Sequence, residues 1–430
     1  MKSDAAIAPA ERLKRCSSIC FSAQSDLQEP RFGATRESLR VLQSVSSWLP
    51  QTQTWLYDQV RQLPDWIDNH VVCERSVNLD QFALGNIHCF SRMHGPFQIV
   101  DKALRKTRLR RYSSYFQRVC ERIGPRVVHS HFGNVGWQDR PNVHKAGARH
   151  LVTFYGYDVN YLPTADPQWR DRYCELFAAV DSVLCEGPYM ATCIANLGCP
   201  VEKIRVHHLG VCTEQIAYRP RQWRPGTPLR VLIAAGFTEK KGIPDAIDAL
   251  GQLRSEVALE LTMIGDATCD PRSQAEKVRI MNALNRNGLH GTTRLLGFCT
   301  LAVLMREAYA HHIFLSPSVT ARDGDTEGGA PVSILHMAAS GMPVVTTRHC
   351  DIPNILPVGA NLADEHDVDA LANELHRLVR SPEEWERELI WARRHVEEQF
   401  DAHRQADRLA DIYSNLVHAG AVEGPTSLRR

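Results

Sequence analysis

A recurring order of short apolar runs, loops and amphipathic segments constrains the fold of this chain more than any other feature. RVLQSVS, which begins at Arg40, has the pattern of a buried strand, and TWLYDQVRQL, a few residues later, has the apolar spacing of a helix. Similar apolar runs include HVVCE (70–74), RVVHSHF (126–132) and DSVLCEG (181–187). Strands that alternate with helices predict a parallel sheet covered by helices, and therefore an α/β fold.

One composition break divides this pattern in two. Prolines and a glycine interrupt it at YRPRQWRPGTP (218–228), and the alternation restarts beyond that point with LRVLIAAG, LELTMIG, TRLLGF, IFLSPS and PVVTT. Helices are expected between these runs at about 243–254, 273–288, 301–310 and 331–340. The sequence thus predicts two doubly wound α/β domains, at 39–217 and 229–400, joined by a hinge-like linker at 218–228.

The two ends of the chain fall outside these domains. Residues 1–38 are polar and aperiodic, which predicts a flexible tail. Residues 401–430 begin with a helical pattern, and that helix could return to the first domain.

Charge and composition exclude several classes of protein. Lys plus Arg number 50 and Asp plus Glu 49, so the net charge of +1 gives no sign of a nucleic-acid partner. The basic run KALRKTRLRR (102–111) spreads its cations around a helix, which favours a solvated helix over a membrane-docking one. No apolar stretch reaches the length of a membrane span. We expect a cytoplasmic protein that is at most peripheral to the inner face of a membrane.

Loops that follow strands are the expected ligand sites, because open α/β sheets bind ligands at the carboxyl ends of their strands. The first such loop in the second half is GFTEKKG (236–242), and a helix with Pro244 in its first turn follows it. A helix start beside Lys240 and Lys241 suits an anion such as phosphate. A solvated surface is the equally open alternative.

The segment DGDTEGGAPVSILHMAASGMPVV (323–345) is the second candidate loop. Small residues at 328–330 would leave backbone N–H groups open to a ligand, and Glu327 is expected at the mouth of the cleft, where it would support no core. An EF-hand would need a glutamate where Ile334 stands. No metal site is predicted, although an Asp-x-Asp metal site at Asp323 and Asp325 remains a minor alternative.

Taken together, these segments resemble the donor half of the family 4 retaining glycosyltransferases, in particular the bacterial exopolysaccharide (colanic-acid-like) subgroup. LPQTQTWLYDQV, HSHFG, FYGYDV and KIRVHHLGV are similar to the N-terminal landmarks of that subgroup, in the same order. The resemblance covers about 40 to 415. It implies a GT-B fold, in which two Rossmann-like domains face each other across a cleft.

The resemblance also implies an activity. Such an enzyme transfers a hexose, with retention, from a UDP- or GDP-sugar to a glycan or polyprenyl-linked glycan acceptor, and it uses neither a metal nor a cofactor because a lysine and a helix end neutralise the leaving diphosphate. The nucleotide sugar is then a co-substrate.

Site residues follow from the resemblance, position by position. It implies that Lys241, with Lys240 beside it, grips the diphosphate and that Glu327 binds the hexose. The other implied donor-side residues are Gly236 in the phosphate loop, Gly297 near the base, the amides of Gly328, Gly329 and Ala330, and His336. Glu327, Lys241 and Tyr155 would be the catalytic residues.

The acceptor side is assigned to His131, Tyr155 and Asp158. We expect His129 and His131 to point to opposite faces of their strand, with His131 toward the cleft. An equally good interpretation is that the Asp158 side chain stabilises a local turn.

Three positions depart from the family pattern. Gly236 stands where an arginine is usual, His336 where a second glutamate is usual, and Tyr155 where a histidine often occurs. These departures motivate one alternative, a catalytically weak or inactive nucleotide-sugar-binding partner of the same fold. A dinucleotide-dependent oxidoreductase is the remaining alternative, but neither half has G-x-G-x-x-G after its first strand.

Overall fold

The computed structural model describes residues 37–50, 53–106, 113–356 and 361–419 of the 430-residue chain. The first half builds one seven-stranded sheet in the order β3-β2-β1-β4-β5-β6-β7, and each neighbouring pair in that order is parallel. Its strands are Leu39–Trp48 (β1), Ile67–Ser76 (β2), Ile87–Cys89 (β3), Val127–His131 (β4), Arg149–Thr153 (β5), Ser182–Cys185 (β6) and Ile204–Val206 (β7).

Helices connect these strands. They are Thr54–Arg61 (α1), Gly95–Lys106 (α2), Ser114–Ile123 (α3), Gly133–Ala146 (α4), Leu162–Ala165 (α5), Gln168–Ala179 (α6) and Pro188–Asn196 (α7), and a π-helical turn, Tyr157–Tyr161, precedes α5. Local sequence explains their ends: the Ser113 side chain accepts the Phe116 N–H at the start of α3, and Gly124 ends that helix in the left-handed conformation.

The second half builds a six-stranded parallel sheet in the order β10-β9-β8-β11-β12-β13. Its strands are Leu229–Ala234 (β8), Leu259–Ile264 (β9), Thr293–Leu295 (β10), Ile313–Ser316 (β11), Val344–Thr347 (β12) and Asn361–Ala363 (β13). The helices are Ile243–Leu253 (α8), Pro271–Arg286 (α9), Leu301–Ala310 (α10), Val332–Ala339 (α11), Ile352–Ile355 (α12), Val368–Arg380 (α13), Trp385–Gln399 (α14) and Ala402–Ala419 (α15). The predicted α/β fold with two Rossmann-like sheets is confirmed.

The final helix packs on the first sheet. Leu409, Ala410 and Tyr413 of α15 are buried against Val41, Val127, Leu151 and Leu184 of β1, β4, β5 and β6. Just before α15, the chain runs beside the segment that leaves the first sheet: Val211 N–H donates to Phe400 O at 2.9 Å, and Ala402 N–H donates to Val211 O at 2.9 Å. The two chain segments that connect the halves therefore lie side by side and are joined by hydrogen bonds. We call these two segments the crossings.

The segment 218–228, predicted to be a hinge-like linker, is held firmly against the second half. The buried Arg221 guanidinium donates to Ala308 O, His311 O and Ser340 O at 2.9–3.2 Å. Trp223 is buried in the core that contains Leu229 and Ile233. Proline and glycine interrupted the helix and strand periods here, but tertiary packing orders the segment.

Two sequence predictions fall wholly or partly outside the described residues. The predicted tail, 1–38, is described only for its last two residues, and the basic run 102–111 only as far as Lys106, where α2 ends. Among the helices of the described ranges, none is both long and apolar enough to cross a bilayer.

Strand order fixes where a ligand would bind. In each sheet the direction in which successive strands are added reverses once. The reversal lies between β1 and β4 in the first sheet and between β8 and β11 in the second. Crevices form at such reversals, beyond the carboxyl ends of the strands. The loops after β1, β4, β8 and β11 are therefore the expected walls of a site.

Candidate active site in the cleft between the two sheets

A cavity of about 500 Å³ lies between the loops that follow the strands of both sheets. Trp55, Phe132 and Glu186 line it from the first half, and Lys241, Glu327 and His336 line it from the second half. Both sheets thus present the carboxyl ends of their strands to one space, which is the arrangement that α/β proteins use for ligands.

The centre of the second-half wall is an ion pair between Lys241 and Glu327. Lys241 Nζ lies 2.7 Å from Oε1 and 2.8 Å from Oε2 of Glu327, and Ser318 Oγ donates to Oε1 at 3.0 Å. Lys241 ends a 3₁₀ turn, Glu239–Lys241, and Gly242 then adopts φ +57° before α8 begins. A Cβ at Gly242 would overlap the carbonyl of Pro317, so only glycine fits there.

Glu327 is enclosed, and its expected place at the mouth of the cleft is wrong. Its side chain is 8% exposed. Burial raises the pKa of this carboxyl, but the ammonium groups of Lys241 and Lys240 outweigh burial and lower the pKa to about 2. The carboxylate is therefore ionised at neutral pH and is part of the packed structure.

Lys240 lies beside this pair but points to the acidic end of the loop. Its Nζ donates to Asp325 Oδ1 at 3.1 Å and to Thr326 O at 2.9 Å. Burial lowers the pKa of Lys240, and the carboxylates of Glu327 and Asp325 more than offset that effect. Lys240 thus anchors the 323–330 loop to the 236–242 loop.

A buried histidine fixes the backbone of Glu327. His349 Nε2 accepts the Glu327 N–H at 3.1 Å, so the proton of the neutral ring lies on Nδ1, which donates to Glu365 Oε1 at 2.7 Å. These contacts fix the backbone of Glu327 and thereby orient its carboxylate.

The glycines at 328 and 329 allow backbone from the two halves to meet. A Cβ at Gly328 would overlap the backbone of Gly156, and a Cβ at Gly329 would overlap the side chain of Glu186. The Gly328 N–H donates to Thr326 Oγ1 at 3.1 Å, so the expectation that this amide is open to a ligand is wrong. Close contact between the halves, and not only access for a ligand, explains these small residues.

Glu186 is a site residue that the sequence reasoning missed. It follows β6, lines the cavity, and approaches Gly329 and Ala330 from the other half. Burial raises the pKa of this carboxyl to about 8, aided by the nearby carboxylate of Asp351, while the Ala330 amide partly opposes the rise. A protonated Glu186 is the expected form at neutral pH. The rule that ligand loops follow strands could have identified it in LCEGP.

Asp351 makes a second contact across the cleft. It belongs to the second half, and its carboxylate accepts the N–H groups of Tyr189 and Met190 at 2.9 and 3.2 Å, in the first turn of α7. A carboxylate satisfies the free amides at a helix start. The contact therefore holds the two halves together on this side of the cavity.

The three residues assigned to the acceptor side form a buried network behind the cavity wall. The carbonyl Oε1 of Gln43 accepts from His131 Nε2 at 3.0 Å, so His131 Nδ1 accepts the Tyr155 hydroxyl at 2.9 Å. Asp158 accepts the backbone N–H groups of Tyr155, at 2.7 Å, and of Gly133. His131 and Asp158 are fully buried, and Tyr155 alone of the three lines the cavity.

Protonation in this network follows burial. Burial lowers the pKa of His131 to about 3 and raises the pKa of Asp158 to about 7, although the backbone donors partly oppose the second effect. Burial also raises the pKa of the Tyr155 phenol. Tyr155 is thus a fixed hydrogen-bond donor to His131, unsuited to accept a proton.

The expectation that His129 and His131 point to opposite faces is wrong. Their ring centroids are 4.2 Å apart, because residues two apart in a strand share a face. His129 instead bonds Tyr413 of α15 at 2.8 Å and Thr153 at 2.6 Å.

Of the remaining predicted donor residues, Gly236 and His336 line the cavity, and Gly297 precedes the lining residue Phe298. A Cβ at Gly236 would have no heavy atom within 4 Å, so the residue borders open space. His336 Nδ1 donates to Val332 O at 3.0 Å, which leaves Nε2 as an acceptor beside the cavity. The Gly297 carbonyl accepts the Gly265 N–H at 2.7 Å, and the next residue, Phe298, is 46% exposed and lines the cavity.

No group of three or more His, Cys, Asp or Glu side chains within the described ranges is arranged to hold a metal ion. Asp323 pairs with Arg272 at 3.0 Å and Asp325 with Lys240 at 3.1 Å, so both carboxylates of the Asp-x-Asp alternative have cationic partners.

Two family models match this chain, one in each half. The model described as "Glycosyltransferase Family 4" matches residues 52–215, and the model described as "Glycosyl transferases group 1" matches residues 228–381. The second match contains all six strands of the second sheet, and the first contains β2 to β7 of the first sheet but begins after β1.

Curated relatives agree with the family models. The amylovoran biosynthesis glycosyltransferase AmsK of Erwinia amylovora is 32% identical over 272 residues, which are 63% of this chain and 64% of AmsK. The putative colanic acid biosynthesis glycosyltransferase WcaL of Escherichia coli K12 is 32% identical over 225 residues, which are 52% of this chain and 53% of WcaL. The matched region thus spans about half to two thirds of the length of these relatives.

Solved structures share the fold. The crystal structure of Anabaena HepE in complex with UDP and glucose matches with a TM-score of 0.71 over 88% of this chain and 100% of that chain, at 15% identity. The likeness establishes the GT-B fold, as the resemblance implied.

Proposed function

The chain belongs to glycosyltransferase family 4, and from this premise we propose that it transfers a hexosyl group from a UDP- or GDP-sugar to a glycan or polyprenyl-linked glycan acceptor in exopolysaccharide biosynthesis. The relatives named for amylovoran and colanic acid biosynthesis support the pathway class, and the HepE crystals with UDP and UDP-glucose support a nucleotide donor. We place the reaction in the cytoplasm, with at most peripheral contact at the inner face of the membrane.

The observation that carries this proposal is the Lys241–Glu327 pair at the point where the second sheet reverses its strand order. In the donor complex, the Lys241 ammonium would bind the diphosphate together with the amides at the start of α8. The Glu327 carboxylate would then accept hydrogen bonds from the hydroxyls of the hexose. The ion pair holds both groups in place before the donor arrives, which lowers the reorganisation that transfer requires.

The nucleoside part of the donor would lie toward β9 and β10. Phe298 offers an exposed aromatic face beside the cavity, and His336 offers a ring nitrogen as an acceptor for a ribose hydroxyl. Gly236 leaves open space near the diphosphate position.

We propose a retaining, front-face reaction. The bond between the anomeric carbon and the diphosphate oxygen breaks, and the acceptor hydroxyl bonds to the same carbon from the same face. The acceptor proton passes to the departing phosphate oxygen, so no protein base is needed. Tyr155, which already donates to His131, would position the wall of the acceptor side.

Metal independence is part of the proposal, because Lys241 and the helix start supply positive charge where the diphosphate leaves. Saturating EDTA should leave transfer unchanged. A rate that falls with EDTA and returns with Mg²⁺ or Mn²⁺ would contradict this point.

A donor panel tests the function directly. UDP-, GDP- and ADP-sugars are added singly to the full-length protein, and the melting temperature is recorded, because a ligand that binds the native state raises it. Radiolabelled transfer from the stabilising donor to extracted membrane acceptors is then measured. Lys241→Met should reduce the shift at a given donor concentration, and Lys277→Met, which removes a cation on the surface of α9, should keep it.

The panel also separates the alternatives. Stabilisation by one nucleotide sugar followed by transfer supports the proposal. Stabilisation without either transfer or donor hydrolysis would indicate the inactive nucleotide-sugar-binding partner. The absence of stabilisation by every donor would refute the proposed site.

A further inference from the structure

Three aromatic rings meet in the cleft where the first sheet reverses its strand order. Trp55 lies in the first turn of α1, just beyond β1, Phe132 directly follows β4, and Tyr155 follows β5. All three line the cavity. The Tyr155 ring centroid is 4.7 Å from that of Trp55 and 4.6 Å from that of Phe132. We call these three residues the aromatic cup.

We propose that the aromatic cup binds the sugar ring of the acceptor, a hexopyranoside, by stacking. This inference rests on the proposed function, because it assigns the acceptor subsite of that reaction. It replaces the buried His131 and Asp158 as the groups that would contact the acceptor.

The backbone at Phe132 shows that the placement of its ring is enforced. Phe132 has φ +77° and ψ 137°, a region that residues with a side chain rarely adopt. The strained turn is held on both sides: the Phe132 N–H donates to Thr153 O at 2.9 Å, and the Gly133 N–H donates to the buried Asp158. Strain of this kind persists where the surroundings fix it, and it concentrates at binding sites.

Tyr155 forms the base of the cup. It is 6% exposed, and its hydroxyl is held by His131, which is held in turn by Gln43. Trp55 and Phe132 are only half-buried, so they supply the accessible surface. The base is therefore rigid and the two flanking rings are open to a ligand, which limits the side-chain freedom lost on binding.

The surroundings of the cup favour a sugar over a lipid chain or a base. Pyranose rings present C–H groups to the negative faces of aromatic rings and hydroxyls at their edges. Gln53, Thr54 and Glu186 line the cavity near the rings and can bond such hydroxyls. An isoprenoid chain would leave these polar groups unsatisfied. The expected base position, near Phe298, lies on the opposite wall.

The test measures binding of methyl hexopyranosides to the full-length protein in the presence of saturating UDP or GDP. Saturation-transfer NMR with methyl glucosides, galactosides and mannosides identifies the sugar, and a titration gives its dissociation constant. Trp55→Leu keeps apolar bulk but removes the aromatic face, and it should weaken binding about tenfold. Trp391→Leu is the matched control, because Trp391 lies on α14, is 67% exposed and is absent from the lining of the cavity.

Phe132→Gly provides a second variant that remains informative if Trp55→Leu folds poorly. Glycine tolerates the positive φ without strain, so the backbone turn is retained while the ring is lost. The same tenfold loss is expected, with an unchanged melting shift from the nucleotide. In transfer assays both variants should raise the KM for the acceptor more than they lower kcat.

The outcomes separate this inference from the proposed function. Nucleotide stabilisation with unchanged hexoside affinity in both cup variants would overturn the cup, as would the absence of hexoside binding to the wild-type protein. Binding of decyl phosphate that depends on Trp55, without hexoside binding, would replace the sugar by a lipid and also overturn it. A wild-type protein that binds hexosides through the cup but no nucleotide would refute the proposed function alone.

Discussion

Replacing Glu327 by glutamine tests the ion pair on which the donor site is built. The side chain is 8% exposed, and both of its oxygens contact Lys241 Nζ. Burial alone would raise its pKa, but Lys241 and Lys240 lower the pKa from 4.5 to about 2. At about 1.4 kcal/mol per pKa unit, this lowering corresponds to about 3 kcal/mol of folding stability. Breaking a buried pair by removal of one partner gives a similar figure, about 3–5 kcal/mol.

The sign of the pH dependence follows from the direction of the pKa change. Because the pKa is lower in the folded state, the stabilisation is fully present above the unfolded pKa and is lost as the pH falls through about 2. Glutamine cannot ionise, so the variant lacks this contribution at neutral pH. The sequence predicted that Glu327 supports no core, whereas the buried ion pair predicts a substantial loss of stability in Glu327→Gln.

Urea unfolding at pH 7, followed by tryptophan fluorescence, measures the loss. We expect Glu327→Gln to lower the free energy of unfolding by about 3 kcal/mol. Glu175→Gln is the control, because Glu175 pairs with Arg140 at 2.8 Å but is 55% exposed, and such surface pairs contribute under about 1 kcal/mol. Lys241→Met combined with Glu327→Gln should lose less than the two single variants together. A Glu327→Gln protein within about 0.5 kcal/mol of wild type would refute the reasoning.

Three further measurements address the same cleft. Lys241→Met should weaken the binding of the nucleotide sugar about 10- to 100-fold in calorimetry, as expected for the loss of one charged hydrogen bond; unchanged affinity would remove Lys241 from the phosphate site. Gly236→Arg should strengthen nucleotide binding about tenfold, because the added side chain enters open space beside the diphosphate position; weaker binding would show that this space is needed by the donor. Glu186 has a raised folded-state pKa, so its stabilisation is present at low pH and lost as the pH rises toward about 8. Relative to Glu186→Gln, the free energy of unfolding of the wild type should fall by up to about 1.4 kcal/mol per pH unit between pH 5 and 7.5. Parallel plots of this free energy against pH for the two proteins would contradict the raised pKa.

Much of the fold could be predicted because its determinants are local. The apolar runs and helix periods placed α10 at 301–310, where the structure has Leu301–Ala310, and they separated the two sheets at the segment before β8. The loops of the donor site could also be anticipated, because each follows a strand and the carboxyl ends of parallel strands meet at one edge.

The contacts between distant segments could not be read from the sequence. Lys241 and Glu327 are 86 residues apart, and nothing in either loop indicates that they pair. Glu186 approaches Gly329 from the other half of the molecule. Arg221 is ordered by one carbonyl within α10 and by the carbonyls that directly follow α10 and α11. Local patterns predict elements, whereas these contacts depend on how the two sheets pack.

The paired crossings at Val211 and Asp401 set how the cleft can open. Each connection is a single chain segment, and an isolated β-bridge with two backbone hydrogen bonds joins the two at this place. Because both connections pass through one place, that place can act as a hinge. The two sheets can rotate about it, but they cannot slide apart. Donor entry and product release should therefore follow one rotational path, which separates the close backbone contact between Gly156 and Gly328.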